Sequence, residues 1–338
     1  MTAGTAPGPA LLTVEGLSVS FPAAGGRVPV LRDVSFSVER RQTLSLVGES
    51  GCGKSVTALS ILKLLPRSAR IESGSVWFEG REILSLSDRE MKSIRGNRIA
   101  MIFQEPMTSL NPVLTIGRQI KEVVVRHKRV SHAEARREAI ELLDRVRIPD
   151  AARRLEDYPH QMSGGMRQRV MIAMALACRP SLLIADEPTT ALDVTIQAQI
   201  LALLQELKDE LGTAVILITH DLGVVAELAE RVVVLYGGSR MEEAATVELF
   251  EHPRHPYTLG LLASKLRLTR GAKDRPERLA EIPGTVPSPR DLIGGCAFAP
   301  RCGRALPRCT ELRPRMTGEG GDHFFSCWNP AFPRGERP

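Results

Sequence analysis

The eight residues Gly48–Ser55 constrain this chain more than any other stretch, because they match the phosphate-loop pattern G-x-x-x-x-G-K-[ST]. An apolar, β-prone segment, Thr43–Val47, precedes the loop, and a segment of helical character, Val56–Leu65, follows it up to Pro66. In that context, backbone N–H groups and a helix N-terminus can bind a polyphosphate. A glycine-rich turn that binds nothing is the alternative, and the flanking pattern favours a nucleotide site.

Within this loop, the residue types match the chemistry of a nucleotide triphosphate. Lys54 is expected to contact the β- and γ-phosphates, and the Ser55 hydroxyl is expected to bind Mg²⁺. The predicted nucleotide-binding positions of this region are Gly48, Glu49, Ser50, Gly51, Cys52, Gly53, Lys54, Ser55 and Val56. Phe21 ends the first predicted strand, and two interpretations remain open for it: stacking on adenine and simple core packing.

The composition is that of an ordinary globular protein. With 338 residues, 43% of them hydrophobic and 25% charged, the chain is long enough for two domains or for one large domain with additions. The net charge of +6 is spread along the chain and does not indicate nucleic acid. The first ten residues lack a signal-peptide pattern, and the apolar runs are far shorter than the roughly 20 residues that span a bilayer. We therefore expect any membrane role to be peripheral.

The coarse secondary-structure pattern is mixed. Leu11–Val19 and Asp33–Val38 alternate like strands, and further short strands are predicted at Ser75–Phe78 and Ile99–Phe103. From about Ile116 to Ile148 the apolar period becomes helical, and Ser131-His132-Ala133-Glu134 is a capping-box sequence. The pattern predicts a helical insertion inside an α/β domain.

Three polar motifs follow this insertion. Ser163-Gly164-Gly165 precedes the predicted helix Val170–Cys178, as an anion-binding helix N-terminus would. Asp186-Glu187 ends a short buried strand, where one carboxylate can hold Mg²⁺ and the other can polarise water. His220 follows the apolar strand Ala214–Ile218. A lone histidine is more often structural, but at the carboxyl end of a strand His220 would face the ligand crevice of an open sheet.

These motifs occur in the order and approximate spacing of the ATP-binding-cassette (ABC) ATPases, which the chain resembles. The resemblance implies an α/β fold: a P-loop NTPase, ABC-type nucleotide-binding domain with a helical subdomain insertion and a small irregular cysteine-rich C-terminal extension. The expected organisation is a flexible N-terminus (residues 1–10), the ATPase domain (11–265, with the helical subdomain at about 105–178) and a C-terminal region (266–338).

The resemblance implies a role for each matching position. Gln104 would sense the metal and the γ-phosphate while touching a membrane partner. Asp186 would hold Mg²⁺ through water, Glu187 would be the general base, and His220 would contact the γ-phosphate. The implied catalytic residues are Lys54, Gln104, Glu187 and His220, and the implied Mg²⁺ residues are Ser55, Gln104 and Asp186.

The resemblance also implies a dimer. Ser163, Gly164 and Gly165 would contact ATP bound on the other subunit, and Asp193 would belong to a loop that crosses the dimer interface. Met162 stands where the family commonly has leucine, a similar apolar residue.

The resemblance narrows to the ATPase subunits of dipeptide and oligopeptide importers, and within them to the first of two paired ATPase subunits. The segments that match are Ser55–Thr57, Met101–Pro112, Tyr158–Gln161 and Pro253–Thr258. Pro253–Thr258 is identified only through the resemblance, because its residues alone indicate no physical role. The implied partners are a second homologous ATPase subunit, two transmembrane permeases and an extracytoplasmic peptide-binding protein, without nucleic acid. The implied location is the cytoplasmic face of the cell (inner) membrane, as a peripheral protein.

A cysteine cluster stands near the C-terminus, in a region rich in Pro, Gly and Arg. Its members are Cys296, Cys302, Cys309 and Cys327. Without an export signal, a metal is favoured over disulfides. Zinc prefers closer C-x2-4-C spacing, whereas wider spacing suits an iron–sulfur cluster. The family resemblance also favours a [4Fe–4S] cluster, expected to be structural, and zinc and unmetallated thiols remain as alternatives.

The predicted function is ATP hydrolysis that drives peptide import. Glu187 and His220 argue against a subunit that only binds ATP. The single phosphate loop and the short helical insertion argue against a soluble ABC ATPase that acts outside transport. An importer for another solute, such as nickel or glutathione, remains an alternative, because subunits outside this chain select the cargo.

Overall fold

The structure is a computed structural model, and it describes residues 10–104, 109–190, 192–266, 282–288, 290–291, 294–318 and 321–332. Residues 105–108 of the Gln104 segment and Ala191 before Asp193 lie outside the described residues.

The strands and helices follow the mixed order that the sequence predicts. The strands are β1 (Leu12–Ala23), β2 (Gly26–Val38), β3 (Thr43–Val47), β4 (Arg70–Phe78), β5 (Arg81–Glu82), β6 (Ile99–Ile102), β7 (Leu182–Asp186), β8 (Ala214–Ile218), β9 (Arg231–Tyr236), β10 (Ser239–Ala245), β11 (Thr317–Gly318) and β12 (Phe324–Phe325). The helices are α1 (Lys54–Ile61), α2 (Asp88–Ile94), α3 (Ile116–Lys128), α4 (His132–Arg145), α5 (Ala151–Arg154), α6 (Gly164–Leu176), α7 (Val194–Leu211), α8 (Leu222–Leu228), α9 (Thr246–Glu251), α10 (Pro256–Leu266) and α11 (Pro307–Glu311). Short 3₁₀ turns span Pro159–Gln161 and Ala299–Arg301.

The described residues divide into two compact units that alternate along the sequence. The first unit contains Val38–Gln42 and Ser85–Ile218, and the second contains Leu12–Ser37, Thr43–Leu84 and the chain from Thr219 onward.

The first unit combines a parallel sheet with the predicted helical insertion. Strands β6, β7 and β8 pair in that order, all parallel. The capping box at Ser131 and Glu134 is confirmed, because the Ser131 side chain accepts from the Glu134 amide while the Glu134 carboxylate accepts from the Ser131 amide. The helical period is interrupted at Arg129, whose left-handed φ of 56° ends α3. Apolar side chains of α3, α4, α6 and α7 pack into one core, so burial rather than propensity stabilises the insertion.

The second unit contains the strand before the phosphate loop. Strand β3 pairs with β9 in parallel, β9 pairs with β10 antiparallel, and β12 and β11 extend that edge. A separate sheet has the order β2-β1-β4-β5, and its pairs β1–β4 and β4–β5 are antiparallel. The predicted strand Thr43–Val47 is confirmed residue for residue. The helix after the loop, α1, spans Lys54–Ile61, whereas the sequence predicted Val56–Leu65. Its end comes earlier than predicted because Lys63 adopts a left-handed φ of 51° before Pro66.

None of the helices in the described ranges is long and apolar enough to cross a bilayer.

Candidate nucleotide site

The phosphate loop needs its glycines for steric reasons. Gly48, Gly51 and Gly53 have φ of 148°, 78° and 103°, a region that other residues rarely adopt. A Cβ on Gly48 would lie 2.1 Å from the Leu235 carbonyl oxygen, and one on Gly53 would lie 2.4 Å from Leu31 Cδ2. At Gly48 and Gly53, the loop can therefore pass close to its neighbours only because these two residues have no side chain.

Lys54 lies inside the curve of the loop. Its side chain is mostly buried, and its Nζ donates to the carbonyl oxygens of Gly48 (2.8 Å) and Glu49 (3.1 Å). Burial raises the pKa of the neighbouring Cys52 thiol, so that side chain stays neutral beside the ammonium group. Ser55 is half-buried in the first turn of α1. The loop thus presents a fixed positive charge at a helix N-terminus, as a polyphosphate site requires.

Two residues that the sequence did not identify hold Glu49 of this loop. The Glu49 amide donates to the Tyr257 hydroxyl oxygen at 2.9 Å. The Arg301 guanidinium donates to both carboxylate oxygens of Glu49, at 2.7 and 3.1 Å. Burial raises the pKa of Tyr257, and the hydrogen bonds to Glu49 raise the pKa of Arg301. Tyr257 belongs to the segment Pro253–Thr258, for which the sequence alone indicates no physical role; in the structure, this segment holds the phosphate loop through Tyr257.

The buried carboxylate of Glu242 positions the segment that contains Tyr257. Glu242 of β10 is fully buried and accepts from the amides of Arg254 (2.6 Å) and His255 (2.8 Å) and is bonded to Nε2 of His323 (2.7 Å). Burial lowers the pKa of His255 to about 4, so this ring is neutral near pH 7, and its Nδ1 accepts from the Tyr257 amide at 3.1 Å. These bonds fix the start of α10 and hence the direction of the tyrosine.

In the first unit, the structure brings two predicted catalytic residues into contact. Gln104 Nε2 donates to Glu187 Oε2 at 3.0 Å, and Thr190 Oγ1 donates to the same oxygen at 2.9 Å. Glu187 has a left-handed φ of 46°, and its amide donates to the Ile218 carbonyl at 2.8 Å. Non-glycine residues in this conformation occur often at functional sites, where the surrounding structure holds them in place.

The predicted dimer-contact residues lie at two exposed helix starts. Ser163 is the N-cap of α6, where its side chain accepts from the Met166 amide at 3.3 Å. A Cβ on Gly165 would lie 2.9 Å from Ile196 Cγ2, which explains the glycine there. Asp193 is the N-cap of α7 and accepts from the Ile196 amide at 2.9 Å. Ser163 and Asp193 are both exposed.

Two further predicted nucleotide residues, Asp186 and His220, lie at strand ends, whereas Phe21 lies inside a strand. Asp186 is the buried last residue of β7, and His220 is exposed two residues after β8. Phe21 is half-buried within β1, which continues beyond it to Ala23. The roles of these three residues stay predictions.

The four C-terminal cysteines line one small cavity, together with Phe298 and other residues. The amides of Leu306 and Asn329 donate to the sulfurs of Cys309 (3.4 Å) and Cys327 (3.3 Å). Burial raises the pKa of Cys296, of Cys302 and, to about 11, of Cys327, and all four thiols are free of disulfides. Within the described residues, no three His, Cys, Asp or Glu side chains are grouped closely enough to hold a metal ion.

Comparison with known proteins identifies the family. The family model described as ABC transporter matches residues 31–190, and that of the oligopeptide/dipeptide transporter C-terminal region matches residues 241–309. The "Probable peptide ABC transporter ATP-binding protein y4tR" of Sinorhizobium fredii is 57% identical over 319 residues, which are 94% of each chain. The "Dipeptide transport ATP-binding protein DppD" of Bacillus subtilis is 50% identical over 319 residues, again 94% of each chain.

Solved structures agree on the fold. The dimeric ATP-binding cassette MJ0796, in a post-hydrolysis state bound to ADP and Pi, is 30% identical with a TM-score of 0.63, covering 70% of this chain and 98% of that one. The structure of cbiO1 from Clostridium perfringens, part of the ABC transporter complex cbiONQ, is 26% identical with a TM-score of 0.60, covering 71% of this chain and 90% of that one.

The chain belongs to the ABC transporter family, as an ATP-binding subunit. The predicted fold class, the resemblance to importer ATPases and the ATPase class of enzyme are confirmed. ATP and Mg²⁺ are the ligands of an ATPase of this class.

Proposed function

We propose that this chain is the ATP-hydrolysing subunit of an importer for di- and oligopeptides. The 57% identity to a relative named as a peptide ABC transporter protein, across 94% of both chains, is the main support. The match of residues 241–309 to the oligopeptide/dipeptide transporter region adds to it. Nickel, glutathione or another small solute is the alternative cargo.

We assign a role in ATP hydrolysis to each of the predicted site residues. Phosphoryl transfer requires neutralised phosphate charge and an oriented water more than covalent catalysis. Lys54 would contact the β- and γ-phosphates, and the Glu187 carboxylate, held by Gln104 and Thr190, would accept the proton of the attacking water. His220 would contact the γ-phosphate. Ser55, Gln104 and Asp186 would hold Mg²⁺, which supplies further charge neutralisation when bound.

We further propose a heterodimer with a second ATPase subunit, docked on two permeases at the cytoplasmic face of the membrane and supplied by a peptide-binding protein. The exposure of Ser163 and Asp193 at the starts of α6 and α7 supports this proposal, since both remain accessible to a partner. Such a division of the site makes hydrolysis depend on closure of the dimer.

A [4Fe–4S] cluster on Cys296, Cys302, Cys309 and Cys327 is also part of this proposal. Its support is the one cavity that all four cysteines line, with amide donors to two of the sulfurs. A single zinc ion needs four sulfurs about 2.3 Å from one point, whereas a cluster accepts ligands that stand further apart. The cluster would hold together segments that contain few core residues. Zinc is the alternative metal.

Anaerobically purified protein is expected to contain about four iron atoms per chain, the content of one [4Fe–4S] cluster. Cys302→Ser should lower the iron content, because it removes one proposed ligand. Cys178→Ser is the matched control and should retain the iron, since Cys178 follows α6 in the first unit and is not a residue of the cysteine cavity. Iron and zinc are measured by elemental analysis; colourless protein with stoichiometric zinc, or with neither metal, would contradict the cluster.

The cargo is tested on the complete transporter. The complex is purified through a tag on this chain and reconstituted in vesicles with its binding protein, and ATP hydrolysis is measured with a peptide, Ni²⁺ or glutathione. Peptide is expected to stimulate hydrolysis most, because its loaded binding protein promotes closure of the ATPase dimer. Stimulation by Ni²⁺ or glutathione alone would transfer the proposal to that cargo, and full activity of the isolated chain would contradict the split site.

A further inference from the structure

We propose that Arg301 is a positioning residue of the ATP site, which holds the phosphate loop through Glu49. Arg301 lies between Cys296 and Cys302, far along the chain from the loop, and none of the sequence motifs includes it. The cysteine-containing segment thereby contributes a residue to the nucleotide site, whether or not that segment binds a metal.

The guanidinium of Arg301 is fixed from several sides. Besides its two bonds to Glu49, its Nε donates to the Pro283 carbonyl (2.9 Å) and its Nη2 to the Ile282 carbonyl (3.2 Å), while Nη1 also donates to the Tyr236 hydroxyl (3.2 Å). The Arg301 side chain is only 6% exposed, against 27% for Glu49. A bidentate pair of this kind is among the stronger hydrogen-bonding arrangements in proteins, and burial reduces its screening by solvent. Arg301 is therefore a rigid anchor for the loop carboxylate.

On the other side, Glu49 is held through its backbone as well. Tyr257, which accepts from the Glu49 amide, is fully buried and packs against Tyr236 and Phe298 with ring centroids 4.6 and 5.2 Å apart. Because the Glu49 carbonyl accepts from Lys54 Nζ, a shift of Glu49 would also move an acceptor of the lysine that binds phosphates. The contacts thus form a continuous path from Arg301 through Glu49 to Lys54.

The negative charge of Glu49 is the reason why these contacts matter for ATP binding. Glu49 places a carboxylate five residues before Lys54, in a loop that must receive a polyanion. Paired with Arg301, the carboxylate is neutralised and directed at the guanidinium. Without Arg301, its negative charge would be free to repel the phosphates and to compete for Lys54. The expected defect is therefore in nucleotide affinity rather than in stability alone.

Equilibrium binding of MgATP to the full chain tests this role. Arg301→Gln is expected to raise Kd about tenfold, because it leaves the Glu49 carboxylate without its cation. In a Glu49→Gln background the same change should alter Kd by less than about twofold, since no carboxylate remains to be held. Arg301→Lys keeps the cation but not the bidentate fork, and it should recover most of the lost affinity.

Arg308→Gln is the matched control. Arg308 lies in the same region, stacks over the Trp328 ring and donates to the Trp328 carbonyl at 3.0 Å, so its loss should leave Kd unchanged. An unchanged Kd for Arg301→Gln, or equal rises in both backgrounds, overturns the proposal. So does a lowered Tm with an unchanged Kd, which would assign Arg301 to stability alone. Should Arg301→Gln fail to fold, Arg301→Met, which keeps an apolar stem but removes the cation, decides by the same comparison in the two backgrounds.

Discussion

Glu187→Gln is expected to lower ATP turnover by about 10²–10⁴-fold while leaving MgATP affinity within about threefold. The amide cannot take the proton of the attacking water, so the proposed chemical step stops. In the structure, Gln104 Nε2 and Thr190 Oγ1 donate to Glu187 Oε2. The fold should persist in the variant, because the side-chain oxygen of the introduced glutamine can accept the same two hydrogen bonds. The left-handed backbone at this position places no new demand on Gln, which has the same shape.

Phosphate release by the assembled complex and MgATP binding by the full chain measure the two effects separately. Glu206→Gln is the control on the surface of α7, where Glu206 is 59% exposed and pairs with Arg147. It should change neither quantity, because an exposed ion pair contributes little. Unchanged turnover in Glu187→Gln would remove Glu187 as the general base, and a parallel loss of binding would assign it to nucleotide contact instead.

Gly48→Ala is expected to disrupt the phosphate loop, lowering the free energy of unfolding by about 3 kcal/mol or more and MgATP affinity by about 100-fold. The new Cβ would lie 2.1 Å from the Leu235 carbonyl oxygen and 2.8 Å from Cys52 Sγ, in a backbone conformation that strains any L-residue. Leu235 belongs to β9, which pairs with β3, so its carbonyl cannot move aside cheaply. The loop must move instead, and Lys54 Nζ then loses the Gly48 carbonyl as an acceptor.

Gly80→Ala is the control for replacing a glycine of positive φ where no steric clash results. Gly80 has a φ of 76°, but a Cβ there meets nothing within 4 Å. This control should therefore cost only about 1–2 kcal/mol and leave MgATP affinity unchanged. Chemical denaturation and equilibrium binding are the measurements; equal losses of stability in the two variants would show that the close approach to Leu235 is unimportant.

The sequence predicted best those features whose signal is local. Thr43–Val47 is fully buried, and a short apolar run between polar residues gave the same bounds as the strand in the structure. The capping box at Ser131 and Glu134 was predictable because both partners lie within one helical turn. Helix ends were predicted less well: α1 begins at Lys54 rather than at Val56, since the phosphate loop leads directly into it.

The sequence did not predict contacts between residues that are distant along the chain. Tyr257 and Arg301 both hold Glu49, across separations of 208 and 252 residues. Pro253–Thr258 stood out only by resemblance, and Arg301 had no signal of its own among the many arginines of the C-terminal region. The sequence likewise did not indicate that Glu242, a residue of strand β10, is buried and accepts hydrogen bonds from the amides of Arg254 and His255.

By itself, the sequence determined the strand, the glycine loop and the helix of the predicted phosphate site, because each part depends on the conformational preferences of neighbouring residues. It also determined the order of motifs by which the family was recognised. Only the tertiary structure decided that the loop is braced by Tyr257 and Arg301, and that Gln104 and Glu187 share a hydrogen bond. The physical reason is that such bonds depend on how distant segments pack, which no local pattern along the chain specifies.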